Sequence, residues 1–215
     1  MFLSEMKHEG KWLDWLRWRL GLTNMVAKDS VGASGGLTIF WRKDIDLTVK
    51  SMSKYHIDMV IKEEDDFEWR YTRMYGESRS KEKDKTWDTL RTLHATLSLP
   101  WVCAGDFNGV LFAHEKEGGL PRSEATMEKF RRAMEDYDLH DLGYVGDVFT
   151  WRNNHHSMGS YTRERLDRAL ANMAWRCKFP LVRVINSDPR HSDHRPVIVE
   201  VGERELGDGM VHGRS

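Results

Sequence analysis

The sequence predicts an α+β domain in which strands and helices pack in layers. Several segments of the first half alternate apolar and polar residues, the pattern of half-buried antiparallel strands. Two later segments repeat apolar residues every three or four positions, as amphipathic helices do. Strands and helices do not alternate regularly, which favours an α+β domain over a doubly wound parallel sheet.

The predicted elements follow one another along the chain. Residues 9–20 have the spacing of an amphipathic helix, and Gly21 suits its C-terminal cap. Strands are then predicted over residues 37–41, 45–52, 55–62 and 67–75. The period becomes helical over residues 86–99, a buried strand starts at Pro100, and a second amphipathic helix covers residues 122–139. Last come strands over residues 147–151, 161–170, 181–188 and 196–201, and a short helix over residues 172–179.

Composition restricts the classes of protein that fit. Hydrophobic residues make up 40% and charged residues 31% of the 215 residues, as in globular proteins. The net charge of −1 lacks the basic excess of a module that only binds nucleic-acid phosphates. No membrane-spanning apolar run and no signal peptide is recognisable. Two cysteines, Cys103 and Cys177, suggest free thiols in a reducing compartment, with one disulfide as the alternative. We therefore expect an intracellular protein, with the nucleus as a candidate compartment.

Seven polar residues lie in or beside the apolar runs, most of them where a run ends. Strand ends are places where a rigid sheet holds side chains at one rim. Carboxylates bind Mg²⁺ or another hard cation, an aspartate bonded to a histidine fixes its tautomer, and an amide orients water or a phosphate oxygen. Such groups suit metal-assisted hydrolysis of a phosphate ester. The seven are Glu5, Tyr75, Asp106, Asn108, Asp167, Asp193 and His194.

Most of these residues also have a simpler interpretation. Asp106 and Asn108, two positions apart, are typical of an Asx turn. Asp167 stands between two arginines, as in an ordinary surface ion pair. Asp193 and His194 precede a proline, which is typical of a turn. Composition and periodicity leave both interpretations open, because neither shows that the residues converge.

Four motifs together resemble the endonuclease/exonuclease/phosphatase superfamily, which includes apurinic endonucleases and DNase I. They are "FLSEMK", "AGDFNGVLF", "RERLDRAL" and "HSDHRPVIVEV", in that order. Longer stretches of the sequence are most similar to the endonuclease domain of plant LINE-type non-LTR retrotransposons, and this similarity covers about residues 1–201. The resemblance implies a four-layer αββα sandwich of the DNase I type, with its site at the rim between two sheets. Residues 202–215 are then expected to form a flexible tail.

The resemblance also implies a metal and a role for the histidine. Glu5 corresponds to the principal Mg²⁺ ligand, with Mn²⁺ as an alternative ion. Asp193 corresponds to a further carboxylate of the metal site. His194 would contact the scissile phosphate, and Asp167 would orient it.

Three further residues match positions that handle water and phosphate in the superfamily. Asp106 would position or deprotonate the attacking water, or serve the leaving group. Asn108 would hold the nucleophile or a phosphate oxygen. Tyr75 corresponds to a tyrosine that touches phosphate. The implied activity is hydrolysis of DNA by an enzyme that we expect to be a monomer.

The chain departs from the superfamily pattern in two places. The N-terminal strand that carries a catalytic Asn before the Glu is missing from the sequence, so we expect an apolar slot or an unpaired edge within one sheet. After Gly76 the usual Pro or His is replaced by a charged stretch. The reverse transcriptase domain of related elements is also absent from this sequence. The alternatives are an inactive remnant of a nuclease, a superfamily phosphatase acting on a phospholipid or RNA, and a nucleic-acid-binding module without chemistry.

Overall fold

A computed structural model describes residues 1–6, 10–28, 36–79, 82–153, 161–189 and 192–202. The first strands are β1 (Phe2–Met6), β2 (Asn24–Lys28), β3 (Gly36–Trp41), β4 (Asp46–Met52), β5 (His56–Lys62), β6 (Glu68–Tyr75), β7 (Trp101–Asp106) and β8 (Lys116–Glu117). They are followed by β9 (His140–Asp141), β10 (Val145–Gly146), β11 (Trp151–Arg152), β12 (Arg163–Glu164), β13 (Asp167–Ala171), β14 (Arg183–Asn186) and β15 (Val197–Glu200). The helices are α1 (Gly10–Arg19), α2 (Asp84–Thr96), α3 (Glu124–Asp136) and α4 (Met173–Lys178).

A six-stranded sheet forms the centre of the described structure, in the order β4-β5-β6-β7-β13-β9. Strands β6 and β7 run parallel, and the other neighbours run antiparallel. The register pairs Tyr75 with Asp106, and Asp106 with Asp167. Three of the predicted site residues therefore lie in one row across three adjacent strands.

Helices α2 and α3 cover one face of this sheet. Trp87 of α2 stacks on Phe130 of α3 with ring centroids 4.4 Å apart, and Phe130 also stacks on Phe107, which follows β7. All three side chains belong to one buried cluster with Met74 and Cys103 of the sheet. The apolar spacing that predicted the two helices thus provides the stripes that cover the sheet.

Two three-stranded sheets, in the orders β1-β3-β2 and β10-β14-β15, pack on the opposite face. Leu37 and Ile39 of β3 lie against Ile57 of β5 in one cluster. Val184 of β14 lies against Ala104 of β7 in another. These contacts make the described structure a layered sandwich, as the sequence predicts.

A cavity of about 740 Å³ lies between the edge strands β1 and β15 and the central sheet. Apolar side chains such as Leu3, Val102 and Val197 line it, together with Asp167 and His194. Within the described residues, β1 and β15 each have a neighbour on one side.

The strand predicted over residues 161–170 is two strands, which corrects that prediction. Strand β12 pairs with β8 and β11 in a small three-stranded sheet, whereas β13 pairs with β7 in the central sheet. The chain changes sheets at Arg165 and Leu166, which lie between them. Because both strands have apolar and polar residues in a strand-like pattern, periodicity could not locate the change.

The strand predicted over residues 147–151 is also wrong, because only Trp151 of that range lies in a strand. The other predicted elements agree with the structure apart from their ends. The helices predicted over residues 9–20, 86–99 and 122–139 correspond to α1, α2 and α3. Strands β1, β2, β8, β9 and β10 were not predicted. Cys103 and Cys177 are free thiols. None of the helices in the described residues combines the length and apolar character needed to cross a membrane. The predicted tail, apart from residue 202, lies outside the described residues.

Candidate active site

A histidine–aspartate pair forms the centre of the site. His194 Nδ1 lies 2.8 Å from Asp167 Oδ2, although the two residues are 27 positions apart. Asp167 is the first residue of β13, and His194 precedes β15 and forms a bridge to Trp151 of β11. The Asp167 side chain is 7% exposed and that of His194 is 27% exposed. Because Asp167 holds Nδ1, the other ring nitrogen, Nε2, is the one that can meet a substrate.

The two arginines beside Asp167 do not pair with it. Arg168 Nη2 lies 2.9 Å from a carboxylate oxygen of Glu115, and Arg165 Nη1 lies 3.0 Å from the other. Both also contact the carboxylate of Asp141. Side chains alternate across a strand, so Asp167 and Arg168 point to opposite faces of the central sheet. The ion-pair interpretation of Asp167 is therefore wrong, and its carboxylate remains available to His194.

Thr150 holds the start of β13 in place. Its buried hydroxyl oxygen accepts hydrogen bonds from the backbone N–H groups of Leu166 and Asp167 at 2.9 and 2.8 Å. These contacts fix the chain at the point where it changes sheets. Sequence reasoning missed this residue, and its only signal was a position directly before a tryptophan within a predicted strand.

Asp106 and Asn108 form a rigid pair at the end of β7. The Asn108 backbone N–H donates to Asp106 Oδ1 at 2.7 Å, which is an Asx turn. The Asn108 amide Nδ2 donates to Asp106 Oδ2 at 2.9 Å and to the carbonyl of Gly76 at 2.8 Å. Asn108 has φ of +52°, a left-handed conformation that Asn tolerates better than most residues. The turn interpretation is therefore correct, and the turn also orients the Asp106 carboxylate.

Gly105 makes this strand end possible. Its φ is +147°, and a side chain there would collide with the carbonyl oxygen of Met74 on β6. Glycine is therefore required for β6 and β7 to approach beside the site. Gly105 of the "AGDFNGVLF" motif is thus required by the packing of β6 against β7, in addition to being part of the motif.

The two acid–base groups of the site have strongly altered pKa values. Burial, and after it the nearby charge of Asp167, raise the pKa of Asp106 to about 7. Burial lowers the pKa of His194, but the hydrogen bond and charge of Asp167, with the charges of Asp106 and Asp193, more than offset this and raise it to about 9. Near neutral pH the site thus holds a protonated imidazole beside a carboxyl group that exchanges a proton readily.

The remaining predicted residues lie around this centre. Tyr75 is half-buried at the end of β6, beside Asp106 in the sheet register. Asp193 is exposed, and its carboxylate accepts a hydrogen bond from Trp151 Nε1 at 3.0 Å. Glu5 lies in β1, two residues after Leu3, which lines the cavity between β1, β15 and the central sheet. The Glu5 side chain is outside the described part of the structure. Sequence reasoning did not identify Trp151 as a partner of Asp193.

The described donors suit a hard divalent cation. Asp106, Asp193 and Asn108 offer carboxylate and amide oxygens, the ligand type that Mg²⁺ prefers. Among the described side chains, no three of the His, Cys, Asp and Glu type come close enough to form a complete metal site. Glu5, which the sequence also assigns to the metal, has its side chain outside the described part of the structure.

The chain belongs to the Endonuclease/Exonuclease/phosphatase family, whose pattern it matches over residues 1–194. This range includes every one of the predicted site residues. A search of curated protein sequences found no match.

Solved structures with similar folds agree with this assignment. The endonuclease domain of TRAS1, a telomere-specific non-LTR retrotransposon, matches with a TM-score of 0.66 and 15% identity, over 85% of this chain and 81% of that one. The 3′ phosphatase NExo from Neisseria, bound to a product DNA hairpin, matches with a TM-score of 0.63 and 17% identity, over 94% and 86%. The AP endonuclease LMAP from Leishmania major matches with a TM-score of 0.63 and 13% identity, over 91% and 76%. The predicted α+β, DNase I-like sandwich is thereby confirmed.

Proposed function

We propose that this protein is a Mg²⁺-dependent phosphodiesterase that hydrolyses DNA, of the type found in retroelement endonucleases. The observation that carries the proposal is the pairing of His194 with Asp167 next to Asp106. A cationic donor and an ionisable carboxylate at one rim are the two groups that phosphodiester hydrolysis requires.

His194 is proposed to stabilise the negative charge that develops on the phosphate. Its raised pKa keeps the ring protonated near neutral pH, so Nε2–H can donate to a phosphate oxygen. Asp167 holds the ring through Nδ1 and so fixes the direction of that donor. Thr150 in turn anchors Asp167. A donor held in place before the reaction has no reorganisation cost in the transition state.

Asp106 is proposed to take the proton of the attacking water, and Asn108 to keep the carboxylate in position. A pKa of about 7 places Asp106 where a general base works well at neutral pH. Both of its oxygens accept hydrogen bonds from Asn108, which limits rotation of the carboxylate. Tyr75, the neighbour of Asp106 in the sheet, is proposed to contact the phosphate.

Glu5 and Asp193 are the proposed metal ligands. When bound, Mg²⁺ would supply a positive charge that polarises the phosphate and lowers the pKa of a bound water. The indole N–H of Trp151 donates to the carboxylate of Asp193 and orients it, as neighbouring hydrogen-bond donors commonly do for metal ligands.

The similarity to the endonuclease domain of TRAS1, a telomere-specific non-LTR retrotransposon, supports DNA as the substrate, because the match extends over most of this chain and most of that domain. The NExo structure, a 3′ phosphatase bound to a DNA hairpin, supports a phosphomonoester at a DNA end as the second candidate. The same site chemistry serves both, since each reaction is displacement at phosphorus by water. The substrate must therefore be decided by assay.

We expect the purified protein to nick supercoiled plasmid in Mg²⁺, and excess chelator to stop it. Asp106→Asn should reduce the rate by about 10²–10⁴-fold, because the amide cannot accept the proton. Asp138→Asn is the matched control, because it makes the same substitution at an exposed aspartate. The φ of Asp138 is +52°, a conformation that Asn also tolerates. A 3′-phosphorylated oligonucleotide tests the second candidate in parallel. Silence of the wild-type protein on both substrates, in Mg²⁺ and Mn²⁺, would contradict the proposal.

The dependence of kcat/KM on pH should be bell-shaped. The rate should rise with pH as Asp106 loses its proton near 7, and fall as His194 loses its proton near 9. Asp167→Asn should move both limbs to lower pH by about one unit, because the charge of Asp167 raises both pKa values.

Asp188→Asn provides the control for this profile. Asp188 is almost fully exposed and pairs with Arg195, so its loss should leave both limbs in place. A profile for Asp167→Asn that superimposes on the wild-type profile would show that these two groups do not control the rate.

A further inference from the structure

Four charged side chains form a network behind the proposed active site, and none of them is among the residues proposed for catalysis or for the metal. The four are Glu115, Asp141, Arg165 and Arg168, and they are called the Glu115 network below. Burial raises the pKa of Glu115, but the charge and hydrogen bonds of Arg168 and the N–H of Leu111 more than offset this and keep it below its usual value. The network therefore contains two carboxylates and two guanidinium groups that neutralise one another.

The Glu115 network holds the chain directly after the turn that ends at Asn108. Arg168 Nη2 donates to the carbonyl of Gly109 at 3.3 Å. Glu115 Oε2 accepts the backbone N–H of Leu111 at 2.6 Å and Arg168 Nη2 at 2.9 Å. Residues 109 and 111 are the first and third residues after Asn108. The turn therefore leads into a segment whose backbone is bound by buried charged groups.

The same network holds the chain directly before Asp167. Arg168 Nη2 also donates to the carbonyl of Arg165 at 2.9 Å. The backbone N–H of Arg165 donates to the carbonyl of Glu115 at 2.9 Å, and Arg165 Nη1 donates to Glu115 Oε1 at 3.0 Å. Arg165 comes two residues before Asp167, where the chain changes sheets. The guanidinium group of Arg168 thus binds the backbone on both sides of the site.

These contacts lie where the pairing of β7 with β13 ends. The last pair in the register is Asp106 with Asp167. Directly beyond it, the backbone N–H of Phe107 donates to the carbonyl of Leu166 at 2.9 Å. The Glu115 network joins the two segments again one or two residues further on, so it opposes their separation. The distance between the two aspartates therefore depends on the network as well as on the strands.

We propose that the Glu115 network positions Asp106 relative to Asp167 before the substrate binds. This inference rests on the proposed function, because it requires Asp106 and His194, which Asp167 holds, to act on one phosphate. Reacting groups must be held closely in place, and a displacement of about 1 Å can reduce a rate by about 10²-fold. Glu115 is therefore a positioning residue, which acts through the two arginines and does not touch the substrate.

Glu115→Gln removes the charge at the centre of the network and keeps the size of the side chain. Amide hydrogen exchange, followed by NMR without substrate or metal, should become about tenfold faster at Phe107 and Asn108, as expected for the loss of one hydrogen bond to a charged group. In plasmid nicking well below the melting temperature, kcat should fall by about 10-fold to 10²-fold. KM should change little, because the network makes no contact with the substrate.

Asp58→Asn is the matched control, because it removes the charge from another buried ion pair of the central sheet. Asp58 pairs with Arg70, and the exposed fractions of the two side chains, 3% and 0%, equal those of Glu115 and Arg168. The control should lower the melting temperature and accelerate exchange in β5 and β6, with kcat unchanged. If Glu115→Gln does not fold, Arg168→Lys replaces it, since lysine keeps the charge but lacks the fork that binds both segments.

Exchange at Phe107 and Asn108 that is no faster in the network variant than in Asp58→Asn would overturn the proposal, because the network would then only stabilise the fold. Faster exchange with an unchanged kcat in an active enzyme would overturn it as well. Faster exchange at these two amides in a protein that does not nick plasmid at all would support the positioning of the turn and contradict the proposed hydrolysis.

Discussion

His194→Ala is expected to reduce plasmid nicking by about 10²–10⁴-fold, one of the two largest effects that the structure predicts. The substitution removes the only imidazole within hydrogen-bond distance of Asp167 among the described residues. Asp167 then remains as an unpaired carboxylate where the phosphate must approach, which adds repulsion to the loss of a donor. Initial rates at saturating Mg²⁺ with supercoiled plasmid measure the effect.

His140→Ala is the matched control. His140 also lies within hydrogen-bond distance of an aspartate, Asp138, at 3.1 Å, but this pair is exposed and distant in sequence from the site motifs. Exposed pairs contribute little, so activity and melting temperature should remain close to wild type. Equal rates for His194→Ala and His140→Ala would remove His194 from the mechanism. A thermal melt of each variant separates loss of chemistry from loss of fold.

The second large effect concerns stability and an ion pair buried in the central sheet. Arg70 on β6 is fully buried, and its guanidinium donates to both oxygens of Asp58 on β5 at 2.8 and 2.9 Å. It also donates to the carbonyl of Leu93 on α2 at 2.6 Å. The hydroxyl of Thr72 donates to Asp58 Oδ1 at 2.6 Å. The pair therefore links the sheet to the helix that covers it.

Asp58→Ala should lower the free energy of unfolding by about 3–5 kcal/mol, because it leaves the Arg70 charge buried without its counter-ion. That is a large fraction of the stability of an ordinary domain. Equilibrium unfolding in urea, followed by tryptophan fluorescence, measures the change. Activity below the melting transition should be retained, since neither residue belongs to the proposed site.

Asp88→Ala is the control for this experiment. Asp88 pairs with Arg91 at 2.8 Å in α2, but both side chains are more than half exposed, so its loss should cost at most about 1 kcal/mol. The double variant Asp58→Leu with Arg70→Met should recover much of the lost stability, because it removes both charges of this pair and leaves neither of them buried alone. A cost for Asp58→Ala no larger than that for Asp88→Ala would show that the buried pair is not essential.

Features with a short sequence range were predictable. Helices α2 and α3 follow from apolar residues at intervals of three and four, and Trp87 and Phe130 are buried as that spacing requires. The Asx turn from Asp106 to Asn108 follows from residue types two positions apart. Both predictions succeed because the interactions that determine them lie within one helical turn or one loop.

Features that depend on sheet pairing were not predictable from periodicity. The change of sheet at Arg165 and Leu166 leaves a strand-like pattern on both sides, so one strand was expected where two exist. Thr150 escaped notice because its role depends on the backbone of a segment 16 residues later. Lys83 stands in a charged stretch typical of an exposed loop, yet it is buried directly before α2.

The sequence by itself determined the class of the domain and the positions of its main helices, and its motifs singled out the residues that we propose for the site, because short-range periodicity and ordered motifs carry that information. Only the tertiary structure decided which partner each site residue takes. Asp167 has Arg165 and Arg168 as its neighbours in sequence, yet it pairs with His194, which is 27 positions away. The alternation of side chains along β13 directs Arg168 to the other face of the sheet, and Arg165, before β13, pairs with Glu115 and Asp141 instead. The β13–β7 register sets Asp167 beside Asp106. Such pairings arise from long-range strand register, which local sequence patterns do not contain.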